Sequence, residues 1–149
     1  SPYTDNTLIR VGFMISVAVG SLMRYYRVRP DETLRGMILR AVDDLVENCL
    51  METGVFFYKE LPSLNRIGNN TLLLEAMTIA YELTGDTKYL SYGKRTFLNS
   101  IQAPAPGVSG VKSIVEDAVV HKTSVTKNFA QSFIPLSVYY KAATDNNML

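Results

Sequence analysis

Apolar residues recur along this chain at three- and four-residue intervals, and strict apolar–polar alternation is scarce. The pattern therefore predicts helices rather than a sheet. Five segments stand out, of two kinds. From about Asn6 to Arg27, residues such as Leu8, Val11, Phe13, Met14, Ile15, Val19 and Met23 cover most of the helical circumference. A helix that is apolar all round is expected to be enclosed by others. From Pro30 to about Leu50 the pattern changes: Leu34, Ile38, Ala41, Val42, Leu45 and Cys49 form one stripe, with Arg35, Arg40, Asp43, Asp44 and Glu47 opposite. This predicts a one-sided outer helix. Pro30, Asp31 and Glu32 suit its first turn, where proline loses no bond and acids meet the positive dipole end.

The two kinds then repeat. Thr71 to Thr84 is again apolar nearly all round, and Gly85 supplies a left-handed stop. Thr87 to about Ile101 is again amphipathic, with Asp86 as its expected cap. Lys127 to Thr144 returns to the enclosed type, with a kink expected at Pro135. Tyr26-Arg27-Val28-Arg29-Pro30-Asp31 matches Tyr81-Glu82-Leu83-Thr84-Gly85-Asp86, and more weakly Tyr140-Lys141-Ala142-Ala143-Thr144-Asp145, at offsets of 55 and 59 residues. Helix type alternates in step with this repeat, which favours an internal duplication over chance. The whole chain, residues 1–149, reads as one all-α domain of two antiparallel hairpins and an unpartnered inner helix.

Loop length follows the same rhythm. Inner-to-outer turns take a few residues, whereas Met51–Asn70 and Gln102–Thr126 are long. Long connections in compact domains concentrate function. If the inner helices all run the same way, both long loops meet at one rim. The first loop carries Phe56, Phe57, Tyr58, Glu60, Arg66 and Asn69, groups able to stack on and hydrogen-bond a polar ligand. The alternative is that Phe56 and Phe57 plug the end of the core, capped by Tyr58. Asn69-Asn70-Thr71 is a glycosylation sequon that also suits the start of the third helix.

The second loop carries Glu116, Asp117, His121 and Lys122. Neighbouring acids push their pKa values apart, so Glu116 is a candidate acid or base and His121 a candidate binding residue. Residues adjacent in sequence do not face each other on a helix, however, and a surface or structural role for His121 stands beside the functional one. Glu75 lies one turn into an otherwise apolar helix. It reads either as a ligand-binding acid or as a carboxylate held by the helix dipole and an arginine. Asp43 and Asp44 are expected to be solvated, and Cys49 to be a core residue.

Composition removes several chemistries. Fifteen basic against fourteen acidic residues leave a charge of +1, so no surplus points to nucleic acid. One cysteine and one histidine provide no disulfide framework and no Cys- or His-cluster metal site, and no motif calls for a cofactor. The longest apolar stretch, Val11–Met23, has 13 residues, against the ~20 that cross a bilayer.

Ala80-Tyr81-Glu82-Leu83-Thr84-Gly85-Asp86-Thr87-Lys88-Tyr89-Leu90 resembles the hairpin signature of the six-hairpin glycosidase-like (α/α) toroids. Leu72-Leu73-Leu74-Glu75-Ala76 before it and Gly93-Lys94-Arg95 after it extend the similarity. The resemblance implies part of a toroid, about half a ring, with alternating inner and outer helices. It further implies an oligosaccharide ligand at the rim where inner helices begin, hydrolysis or elimination at a glycosidic bond, and a secreted or periplasmic setting. It carries no catalytic residue to a numbered position. Tyr58, Glu60, Arg66, Asn69, Glu75 and His121 are the expected contacts and Glu116 the expected acid/base. The competing expectation is a non-catalytic helical interaction module, pairing with a second copy or with the remainder of a longer toroid.

Overall fold

The computed structural model describes residues 10–57, 71–101 and 125–149, with backbone alone at 125–129. Within these residues lie five α-helices and no strand: α1 (Gly12–Val28), α2 (Glu32–Cys49), α3 (Leu73–Thr84), α4 (Lys88–Ile101) and α5 (Val125–Asp145). No helix among them is long and apolar enough to cross a membrane.

Local chemistry sets the helix ends. The Asp31 carboxylate accepts the backbone N–H groups of Thr33 and Leu34, at 3.3 and 3.1 Å, and so caps α2. Gly85 takes the left-handed conformation (φ 71°) and its N–H closes α3 on Tyr81 at 2.7 Å. Asp86 then accepts the Lys88 N–H at 2.9 Å, and this backbone hydrogen bond lowers its carboxyl below the usual range. In the third copy Asn147 does the work of the glycine: with φ 55° it lets Met148 N–H reach Ala143 O, a Schellman ending. Pro135 lies inside α5, which continues past it. At the other end, α1 begins six residues later than its apolar pattern predicts. Val11 is extended, and Arg10 is held outside the helix by a two-pronged pair with Asp44 of α2 at 2.7 and 2.9 Å.

Helices α1, α3 and α5 lie side by side and run parallel. Ser16 of α1 meets Leu72, Arg27 meets Glu82, Thr71 meets Ser132 of α5, and Tyr81 meets Asn146. Arg27 and Glu82 are 55 residues apart, the offset of the sequence repeat, so equivalent positions of the duplicated unit stand next to each other. Helices α2 and α4 form a second layer, α2 against α1 and α3, and α4 against α3 and α5. Arg35 of α2 donates to Leu83 O at 2.8 Å, and the Tyr139 hydroxyl of α5 donates to Leu90 O of α4. Among the described residues only α3 packs on all four other helices.

Two cores result. Val19, Met23, Ile38, Leu45, Cys49, Phe56 and Met77 fill the space between α1, α2 and α3. Leu74, Leu90, Phe97, Tyr139 and Ala143 fill that between α3, α4 and α5. Phe56 is fully buried beyond a tight turn in which Met51 N–H bonds Val55 O and Gly54 has φ 82°. It plugs the core rather than facing a ligand.

Two expectations need correction. Only α3 of the apolar-all-round helices is enclosed. Met14, Val17 and Tyr25 of α1, and Ile134 and Val138 of α5, are exposed, because each of these helices has a single parallel neighbour. Asp43 and Asp44 are not merely solvated: Asp43 accepts the Tyr89 hydroxyl at 2.7 Å, and Asp44 holds Arg10. Burial, reinforced by that bond to an anion, pushes the Tyr89 phenol up to about 12.

Candidate functional site

Because α1, α3 and α5 are parallel, their N-termini share one end of the molecule, and both long connections arrive there, at the starts of α3 and α5. Two side-chain hydrogen bonds fix that end. Ser16 Oγ donates to Leu72 O at 2.6 Å and ties α1 to the start of α3. Thr71 and Ser132 share a buried hydrogen bond of 2.8 Å, which ties α3 to α5.

Glu75 lies one turn in from this end, in the first turn of α3, where the helix dipole favours an anion. Its carboxylate is laid against the backbone of α1 at Gly20. A Cβ at that glycine would stand 2.9 Å from Oε1 and 3.2 Å from Oε2. Gly12, Ser16 and Gly20 recur every fourth residue on the face of α1 that meets α3, and this run of small residues lets the two helices close. The Glu75 side chain keeps 19% of its surface, and Arg24 Nη2, 3.8 Å away, belongs to a side chain that is 64% exposed. At that distance and exposure the pair is a weak one. The arginine expected beside Glu75 is present, yet it leaves the carboxylate oxygens with room to accept hydrogen bonds.

One further turn along, Arg27 donates from Nε and Nη2 to the two oxygens of Glu82, at 3.2 and 2.6 Å. This bond, with Glu75 adding to it, raises the Arg27 pKa. The groove between α1 and α3 thus carries acid, base, acid and base in close succession, with Glu82 and Arg27 satisfied by each other and Glu75 only loosely held. Such a group suits hydrogen-bonding to hydroxyls. Among the described residues no three Asp, Glu, His or Cys side chains gather as a metal ion would need.

Of the expected site residues, Glu75 is the one placed here. Tyr58, Glu60, Arg66, Asn69, Glu116 and His121 lie outside the described residues. Sequence reading missed Ser16, Gly20 and Arg24. The signal for the first two was the fourfold spacing of small residues within an apolar helix; Arg24 had none, since several arginines could have reached Glu75. Comparison with known protein families, curated proteins and solved structures finds no match to this chain.

Proposed function

We propose that this chain is a segment of a carbohydrate-active (α/α) toroid protein that binds a glycan at the end where α1, α3 and α5 begin. The observation that carries the reading is Glu75: a largely buried carboxylate with spare acceptor capacity, on the central helix, in the first turn after the first long connection ends. Sugar recognition rests on carboxylates and guanidinium groups that accept from and donate to hydroxyls, and Glu75 with Arg24 offers both within one groove. The parallel arrangement of α1, α3 and α5, backed by α2 and α4, agrees with this reading, as does the hairpin-signature resemblance. Cleavage of a glycosidic bond needs a second carboxylate about 5–9.5 Å from the first, and the role is assigned to Glu116. Tyr58, Glu60, Arg66, Asn69 and His121 complete the proposed contacts.

The test is a thermal-shift screen with neutral and acidic oligosaccharides, followed by calorimetric titration of the hits against the chain and its Glu75→Gln variant. At least one glycan is expected to raise Tm, and the variant to bind it about tenfold more weakly, roughly 1.4 kcal/mol. A panel with no hit defeats the glycan reading. Equal binding by wild type and variant removes Glu75 from the site.

A further inference from the structure

The start of α1 carries no local start signal. The apolar helical spacing runs back through Ile9 and Leu8 to about Asn6, itself a favourable cap residue. Yet the first helical residue is Gly12, the poorest helix former short of proline. Val11 before it is extended (φ −110°, ψ 94°) and has no side-chain group to act as a cap, and the first turn holds no acid to meet the dipole. Lengthening an existing helix requires no new nucleus, so a restraint from outside α1 has to hold these residues back.

That restraint lies on α2. Arg10 Nε and Nη2 reach the two oxygens of Asp44 at 2.7 and 2.9 Å, a bidentate, charge-assisted pair. Asn48, one turn further along α2, aims the acceptor: its side-chain amide donates to Asp44 Oδ1 and to Asp44 O, both at 3.1 Å. An extended residue advances the chain by about 3.3 Å and a helical one by about 1.5 Å. Winding Val11 into α1 would therefore draw Arg10 back from α2, so the ion pair and a longer helix compete. We infer that Arg10 and Asp44 form a two-position clasp. Closed, it starts α1 at Gly12; opened by loss of the Asp44 charge, it lets α1 grow back through Val11 and Arg10. The clasp acts at the end of the row where α1, α3 and α5 begin, and it is independent of glycan binding.

Nuclear magnetic resonance of the full chain reads the clasp through the Cα chemical shift of Val11. In wild type that shift is expected on the extended side of its random-coil value. In Asp44→Asn, which keeps the shape and removes the charge, it should cross to the helical side, with contacts appearing between protons of Leu8 and Val11, three residues apart. Arg10→Gln removes the other half of the pair and should give the same crossing. Asp43→Asn is the control: it takes the same charge from the neighbouring position of α2, where the bond is to Tyr89, and should leave Val11 extended. Unchanged shifts along α3 show in each case that the fold is kept. A Val11 that stays extended in either folded clasp variant overturns the inference, and so does a helical Val11 in wild type or in Asp43→Asn.

Discussion

Gly93 offers a direct test of how α3, α4 and α5 are locked together. Within a helix, glycine to alanine ordinarily stabilises by about 1 kcal/mol. At Gly93 the added Cβ would lie 2.7 Å from Cε2 of Tyr139 and 2.9 Å from Cδ2 of Leu74. Neither neighbour can retreat. Both are fully buried, the Tyr139 hydroxyl is engaged with Leu90 O, and its ring packs on Phe97 with centroids 5.2 Å apart. Overpacking of this kind costs about 1–3 kcal/mol, and a tyrosine turned off its acceptor forfeits about 1 kcal/mol more. Set against the helical gain, Gly93→Ala is expected to lose about 2 kcal/mol. For a chain of this size that lowers Tm by roughly 4–8 °C. Gly20→Ala is the control, because the three atoms nearest its Cβ all belong to the carboxylate end of Glu75, a side chain able to swing away. Its stability should stay within about 1 kcal/mol of wild type while glycan binding weakens. Urea and thermal unfolding followed by circular dichroism measure both. A Gly93→Ala protein as stable as wild type, or a Gly20→Ala protein equally damaged, would refute the packing described here.

Two further outcomes follow from buried polar groups. The Thr96 hydroxyl on α4 is fully buried with no hydrogen-bond partner, so Thr96→Val, similar in shape, is expected to stabilise by about 1 kcal/mol, and a lowered Tm would contradict this. The Tyr89 phenol is raised to about 12 by burial and by its bond to Asp43, burial pushes Tyr139 up likewise, and the Asp145 carboxylate raises Lys141. Groups whose pKa is higher folded than unfolded contribute fully below the unfolded value and lose that contribution as pH rises through the folded one. Stability should therefore be flat approaching pH 10 and decline from about 10 to 12, more shallowly in Tyr89→Phe; an identical decline in the variant would remove Tyr89 from the account.

Local signals in the sequence read well. Asp31, Gly85 and Asp86 act through bonds to residues two to four positions away, so their roles were visible without tertiary information. Enclosure was harder to judge. Helices α1, α3 and α5 show the same all-round apolar pattern, but whether each face is covered depends on how many neighbours the row supplies. The partners of Asp43 and Asp44, 46 and 34 residues distant, are likewise products of the assembled layers. For Glu75, its place on an inner helix was legible from an acid interrupting an apolar run. Its seat against Gly20 was not, because that contact joins two copies of the duplicated unit.

The position of α3 has a consequence for how the molecule comes apart. The two cores touch through Tyr89 of α4, which lies in the core of α1 and α2 and donates to Asp43, but neither pair can keep its core once α3 leaves. Opening of α3 is therefore equivalent to global unfolding, whereas the flanking helices open in smaller, cheaper steps. Its backbone amides are the ones whose exchange with solvent reports the full stability of the chain.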